Sequence, residues 1–351
     1  MSQSNKAVTL ASRPVGPVTE DNFKIEQVPY PQISDPKTEV IVRLLQCSVD
    51  PYMRGRMSEK KSYIPPFELN KPIQGYAIVQ VVECDDEQNV KYKKGELISG
   101  ILPFQEYTLI NVNHAPLAGL YTPHKTLVNG ELPLSYGLSA LGMPGITAWI
   151  GLNHLCEPKK GENVLVTAAG GAVGSMVGQL AKIQGCYVVG VAGSDEKVNH
   201  IVQELKFDAG FNYKTTSYAQ GIEKHLPNGV DVYFDNVGGD ALDQALIHMN
   251  KFGRIALCGA ISQYNDTTVA LGPRLTWLMI GKAIKMQGFI VGFYPELWPV
   301  AADAMAGYLL SGELKIDETV YNGIENVPKA FIGLMAGENK GKMIVKVSEK
   351  N

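Results

Sequence analysis

The sequence predicts an α/β protein in which a β-rich region is followed by a parallel sheet covered by helices on both faces. Three observations predict it. From about residue 140 to 292, apolar β-branched runs alternate with segments of helical period. Residues 1–140 carry short strand-like runs cut by turns, with no clear helical period before about residue 137. A glycine-rich segment joins the first strand and first helix of the alternating part. Size and composition agree. The 351 residues allow two domains at roughly 100–200 residues each. A chain 45% hydrophobic and 19% charged is globular rather than disordered.

The elements follow in order. Val40–Leu45 and Ala77–Glu83 are strand candidates, with turns at Asp50-Pro51, Pro65-Pro66 and Lys94-Gly95. Residues 100–119 continue as short apolar runs interrupted by Pro103 and Pro116. Asn163–Ala168 reads as a strand. Val173, Val177, Leu180 and Ala181 then line one helix face. Tyr187–Ala192 is a second strand, and Val198, Ile201, Val202 and Leu205 repeat the helical period. Val230–Asp235 is a third strand. Leu242, Ala245, Leu246 and Met249 make a third helix face, and Arg254–Cys258 a fourth strand. Continuous apolar strands of this kind belong to a sheet buried on both sides. One or two helices and a last strand, Met343–Val347, complete the chain.

Glycine makes up 36 of the 351 residues, about a tenth, so some backbone here needs close approach or positive φ. The segment Val164-Leu-Val-Thr-Ala-Ala-Gly-Gly-Ala-Val-Gly-Ser175 gives part of that excess an address. Gly171 and Gly174 match the second and third glycines of G-x-G-x-x-G, and Ala169 stands at the first. The spacing suits a dinucleotide. One glycine lets the backbone approach a pyrophosphate, another lets the helix pack on the sheet, and the helix N-terminus offers unpaired N–H groups. A tight turn without a ligand is the plainer alternative. An NAD site places an acid at the end of the second strand. Here Val188-Val-Gly-Val-Ala-Gly193 ends without one, and Ser194 and Lys197 follow, which favours a 2′-phosphate and hence NADP. The alternative has Asp195 facing the ribose and Lys197 solvated.

The formal charge of −3 argues against a large basic footprint for nucleic acid. The N-terminal ten residues hold too short an apolar stretch for a secretory signal. Val164–Ile183 is interrupted by glycines, Thr167, Ser175 and Gln179, so it reads as strand plus helix rather than a membrane span. Five scattered cysteines, Cys47, Cys84, Cys156, Cys186 and Cys258, fit neither a disulfide framework nor a structural zinc site. They fit buried thiols in a reducing, cytoplasmic setting.

Several segments together resemble the zinc-independent medium-chain dehydrogenase/reductases of the prostaglandin reductase and alkenal/one oxidoreductase group. They are Ser48-Val-Asp-Pro-Tyr-Met-Arg-Gly-Arg-Met57, Ala169–Ser175, Gly193-Ser-Asp-Glu-Lys197, Phe211-Asn-Tyr-Lys214, Asp235-Asn-Val-Gly-Gly239, Phe252-Gly-Arg-Ile255, Cys258–Asn265 and Gly337–Val345. The resemblance covers nearly the whole chain. It implies a GroES-like β-rich catalytic domain, 1–139 plus 312–351, with a doubly wound Rossmann domain, 140–311, inserted into it. It implies NADPH as cofactor. Gly171, Ala172, Val173 and Gly174 would hold the pyrophosphate, and Ser194, Lys197 and Tyr213 would lie at the 2′-phosphate. Asn236, Cys258, Ile261, Tyr264, Phe289, Ile290, Val291 and Asn339 would line the rest. A homodimer is also implied.

Alcohol dehydrogenases of this fold hold a catalytic zinc through a set that includes Gly-His-Glu. Pro72-Ile-Gln-Gly-Tyr-Ala77 places Tyr76 and Ala77 there instead, and Cys47 alone cannot complete a three-ligand site. The activity implied is reduction of the C=C bond of an α,β-unsaturated ketone or aldehyde. Tyr264 would give a hydrogen bond to the developing enolate, and Tyr52 would bind the same carbonyl or the substrate. Cofactor stacking for Tyr264 and packing for Tyr52 are the alternatives. Some relatives carry a further tyrosine where this chain reads Leu278-Met-Ile-Gly-Lys282, so no mechanism through that residue transfers. Arg54 and Arg56 read as structural or surface ion-pair residues, and the six histidines, His114 and His124 among them, show no readable partner pattern. Two other functions fit the scaffold: an NADPH-dependent quinone or carbonyl reductase, and a cofactor-binding protein without catalysis, structural or RNA-binding.

Overall fold

The computed structural model describes residues 4–85, 87–88, 91–113 and 119–350. His114 and Pro116 lie outside the described residues. The chain divides into two compact units. One holds Met1–Leu138, Glu318–Asn339 and Met343–Asn351, and the other holds Ser139–Asp317 and Lys340–Lys342.

The first unit is built on antiparallel strands. β1 (Lys6–Leu10) pairs with β2 (Phe23–Gln27). β3 (Glu39–Ser48), β4 (Gln74–Glu83), β5 (Leu97–Pro103), β6 (Tyr107–Asn111) and β7 (Leu120–Tyr121) belong to a seven-stranded sheet. Val40, Val42, Leu44, Val79, Ile98 and Phe104 fill the core beneath it. Two short helices that the periodicity does not reveal, α1 (Tyr52–Arg56) and α2 (Lys125–Val128), interrupt this part; each is too short to show a repeat. The two arginines of α1 are buried clamps on the backbone rather than surface ion pairs. Arg56 donates to the carbonyls of Pro65 (3.0 Å) and Gln74 (3.1 Å) and stacks over Phe67, and Arg54 donates to the Gly16 carbonyl (2.8 Å).

The second unit opens with α3 (Met143–Trp149), which continues as a π-helical stretch over Ile150–Cys156. Six strands follow: β8 (Asn163–Val166), β9 (Tyr187–Ala192), β10 (Ala209–Asn212), β11 (Val230–Asp235), β12 (Met249–Leu257) and β13 (Lys285–Gly288). All their pairings are parallel, in the order β10-β9-β8-β11-β12-β13. The order reverses between β8 and β11, the switch point at which doubly wound sheets bind ligands outside the strand ends. The connecting helices are α4 (Ala172–Ile183), α5 (Asp195–Gln203), α6 (Tyr218–His225), α7 (Asp240–His248) and α8 (Thr276–Lys282), followed by α9 (Trp298–Ser311). β8, β9 and β11 are buried almost throughout because helices cover both sides. Met249, expected on a helix, begins β12, and Leu205 packs just past the end of α5. No helix among the described residues is long and apolar enough to cross a membrane.

A fork of hydrogen bonds ties the sheet to the chain before it. Arg254 on β12 reaches both oxygens of Glu162, at 2.9 and 2.5 Å, and the Cys156 carbonyl at 2.8 Å. Arg254→Leu should therefore cost about 2–3 kcal/mol of stability, read from the denaturation midpoint; a shift equivalent to under about 0.5 kcal/mol would show the fork to be idle.

The chain then returns to the first unit through β14 (Glu318–Asn322), α10 (Val327–Ala336) and β15 (Lys342–Lys346). β15 adds antiparallel to β3, with Val345 opposite Cys47.

Candidate active site

The glycine loop occupies the turn between β8 and α4. Its backbone is pinned on both sides: the Ala169 N–H donates to Val191 at 2.9 Å, and the Gly171 N–H to Ala168 at 2.9 Å. The left-handed residue of this turn is Ala168, with φ 50°, and none of Gly170, Gly171 or Gly174 has positive φ. The glycines are there for closeness. A Cβ on Gly174 would lie 2.4 Å from the Ala168 carbonyl oxygen, and one on Gly171 would lie 3.2 Å from the same atom. Gly171 caps α4, so the N–H groups of Ala172, Val173 and Gly174 open the helix without intrahelical acceptors. That cradle suits a pyrophosphate.

At the ends of β9 and β10 a second anion cradle forms. The Ser194 hydroxyl caps α5 by accepting the Lys197 N–H at 3.2 Å. The Lys197 side chain runs along Gly170, within 3.2 Å of where a Cβ would stand. Burial, and then the neighbouring Lys214, hold the Lys197 ammonium below its ordinary pKa, a strain that an anion would relieve. Tyr213 lies over Gly193 and stacks on Tyr218 with ring centroids 5.9 Å apart. The Asp195 carboxylate accepts from the Asn212 amide at 2.8 Å. Ser194 and Lys197 thus meet at the start of α5, with Tyr213 over Gly193 just before it, a set of groups that could take a phosphate.

Asp235, at the end of β11, organises the switch point, and sequence reasoning gave it no role. Its Oδ1 accepts from the Tyr233 hydroxyl at 2.7 Å and from the Val237 and Gly238 N–H groups at 2.9 Å each. Burial nevertheless pushes its pKa up. Asn236 is held across the switch point to Thr167, its amide donating to the Thr167 carbonyl at 2.8 Å. Cys258 donates its N–H to the Asp235 carbonyl at 2.8 Å. The Cys258 thiol is pushed up to about 12 by burial and the nearby Asp235, and Cys156 rises to about 12 for want of solvation as well. Neither is a thiolate at neutral pH.

Tyr264 closes a 3₁₀ turn, Ile261–Gln263. Its hydroxyl oxygen accepts the Ala260 N–H at 3.2 Å and lies 3.1 Å from where a Gly259 Cβ would stand. Burial raises its pKa, with the Ala260 N–H opposing. The phenol therefore keeps its proton and has it to donate. Ile261 is tied to the Asn236 carbonyl at 3.3 Å. Ile290 and Val291 follow β13, and Trp298 donates to the Val291 carbonyl at 3.1 Å. The Phe289 ring packs edge-on against Phe234, so that side chain serves the core.

Tyr52 and Asn339 belong to the first unit. The Tyr52 hydroxyl is buried and has no hydrogen-bond partner among the described residues, and burial followed by Asp50 raises its pKa well above the ordinary phenol value. An orphaned buried hydroxyl costs about 1–3 kcal/mol, which a ligand or water would recover. Asn339 is buried.

A nucleotide-binding doubly wound sheet, with two anion cradles and a proton-bearing tyrosine at its switch point, defines a dinucleotide-dependent oxidoreductase. Comparisons agree. Residues 6–116 match the family model described as the N-terminal domain of oxidoreductase, and residues 172–307 the model described as zinc-binding dehydrogenase. The chain is 40% identical to the NADP(+)-dependent 2-alkenal reductase of Nicotiana tabacum, over 99% of this chain and 98% of that protein. It is 38% identical to prostaglandin reductase 1 of Mus musculus, over 97% and 98%. Among solved structures, CurA from Vibrio vulnificus in complex with NADPH matches with a TM-score of 0.88 and 38% identity, over 98% of this chain and 99% of that one. The chain belongs to the medium-chain dehydrogenase/reductase family, in the group that holds these reductases. The second model's description names zinc, and no group of three or more His, Cys, Asp or Glu side chains among the described residues could hold a metal ion.

Proposed function

We propose that the protein reduces the carbon–carbon double bond of α,β-unsaturated ketones and aldehydes with NADPH. The observation that carries the proposal is the Tyr264 hydroxyl, which accepts the Ala260 N–H and so has its own proton to give. NADPH, when bound, supplies the hydride that adds to the β carbon. Gly171–Gly174 hold its pyrophosphate, and Ser194 and Lys197 its 2′-phosphate, with Tyr213 alongside. As the double bond accepts the hydride pair, negative charge moves to the carbonyl oxygen. Tyr264 donates a hydrogen bond to that oxygen, and the Ala260 N–H stabilises the charge that shifts onto the phenol. A proton from Tyr264 or water then completes the α carbon. The names of the tobacco and mouse relatives support this reading of the substrate.

The test is NADPH oxidation with a panel of enals, enones, quinones and saturated carbonyls, with product identification. Saturated ketones and aldehydes are the expected products. Hydroquinones or alcohols would point to a quinone or carbonyl reductase, and NADPH binding without any turnover to a non-catalytic protein.

Tyr52 is proposed as a substrate ligand, on the strength of its orphaned hydroxyl. Tyr52→Phe should raise KM for the enone roughly ten-fold and leave kcat within about two-fold, because the bond exists in ground and transition states alike. The same variant should be no less stable than the wild type, since no protein hydrogen bond is lost. An unchanged KM would reduce Tyr52 to a packing residue.

A further inference from the structure

Six residues from four separate segments of the chain link the two anion cradles in a ring, all within the second unit. His200 stands one turn beyond Lys197 on α5, on the same side of the helix. Its Nε2–H donates to Asp317 Oδ2 at 2.6 Å, and the histidine is largely buried. Lys340 Nζ approaches the other oxygen of Asp317 at 3.8 Å. The Asp317 backbone carbonyl accepts the Lys342 N–H at 2.9 Å. Gly341 between them has φ 63°, and a Cβ on it would meet that carbonyl oxygen at 1.9 Å, so only glycine lies this close. The Gly341 N–H then donates to the Gly170 carbonyl of the phosphate loop at 2.9 Å, beside a backbone bridge between Gly341 and Gly171. Gly170 lies against the Lys197 side chain and closes the ring. The segment before Asp317 is itself fixed to α4, because the buried Gln179 amide bonds Lys315 on both its N–H (2.9 Å) and its carbonyl (3.0 Å).

We infer that Asp317 is a positioning residue for cofactor selection. Through His200 it sets where α5 presents Lys197, and through Gly341 it refers that position to the phosphate loop. The side chain of Asp317 serves the 2′-phosphate cradle and its backbone serves the pyrophosphate cradle, so the carboxylate fixes the spacing between the two phosphate groups of NADPH. NADH lacks the 2′-phosphate and has no use for that spacing. The inference rests on the NADPH reading above and adds the residue that makes the cofactor choice.

The experiment measures Kd for NADPH and for NADH, by nicotinamide fluorescence, on wild type, Asp317→Ala and His200→Gln, with thermal midpoints alongside. Asp317→Ala should weaken NADPH roughly ten-fold, the loss expected for one hydrogen bond to a charged group, and leave NADH within about two-fold. The kcat at saturating NADPH should stay within about two-fold, because the reacting end of the cofactor is untouched. His200→Gln keeps a donor but on a more flexible stem, so it should weaken NADPH about three-fold with NADH unchanged, and that cofactor-selective loss carries the test if Asp317→Ala does not fold. Equal weakening of both cofactors would mean that Asp317 is structural only, and an unchanged NADPH Kd would overturn the inference outright. A wild type that binds NADPH no better than NADH would instead defeat the 2′-phosphate reading on which it stands.

Discussion

Tyr264→Phe is expected to lower kcat for enone reduction about 100-fold, the usual cost of removing one donor to a developing oxyanion. NADPH affinity should stay within about two-fold, because the ring remains and only the hydroxyl is lost. The Ala260 N–H loses its acceptor, which should cost about 1 kcal/mol of stability and no more. The pH dependence separates this role from simple cofactor stacking. The phenol acts as a donor only while protonated. Burial raises its pKa above the ordinary value of ~10, so the donor is fully present through the neutral range and is lost only as pH rises through the folded-state value. Wild-type kcat should accordingly be flat from about pH 6 to about pH 9 and fall on the alkaline side, and the variant should lack that alkaline limb. A variant with wild-type kcat would remove Tyr264 from the chemistry.

The central strands were legible because their environment is written in them. β8, β9 and β11 are buried on both faces, and such strands show as unbroken apolar runs. β10 and β13 lie on the two edges of the sheet and are only partly buried, so no unbroken apolar run marks them. Met249 illustrates the limit of periodicity. It falls in step with the α7 face, yet the backbone turns extended at that residue and its side chain stays in the same core. The site divides in the same way. The glycine loop, Ser194 and Lys197 declare themselves by spacing, because the loop lies in one strand–turn–helix unit and Ser194 and Lys197 in the next. The His200–Asp317 pair spans 117 residues, and no local pattern announces it. Asp235 looks like any acid at a strand end until its four hydrogen-bonding neighbours are in place. The glycine excess by itself leaves open whether the loop needs positive φ or close approach; the left-handed position belongs to Ala168, and the loop glycines supply space.

That distinction orders the effects of substitution in the loop, and the largest is expected at Gly174. A methyl group there would meet the backbone of Ala168 at 2.4 and 2.9 Å and of Ala169 at 3.0 Å. Backbone cannot swing aside as a side chain can, so Gly174→Ala must push α4 from the end of β8. Overpacking of this kind costs about 1–3 kcal/mol of stability. The effect on NADPH should be greater, because the N–H groups that face the pyrophosphate move with the helix. Losing two hydrogen bonds to a charged group, at about 1.5 kcal/mol each, amounts to about 100-fold, which is the expected rise in Kd. At Gly171 the same methyl group meets one carbonyl oxygen at 3.2 Å, a contact that a few tenths of an ångström would relieve. At Gly170 its three nearest atoms all belong to the Lys197 side chain, at 3.2–3.4 Å, a more yielding neighbour than backbone. Kd measured across the three alanine variants should therefore rise most for Gly174, less for Gly171 and least for Gly170. A Gly174→Ala protein that binds NADPH as tightly as the Gly170→Ala protein would show that the helix end does not hold the pyrophosphate.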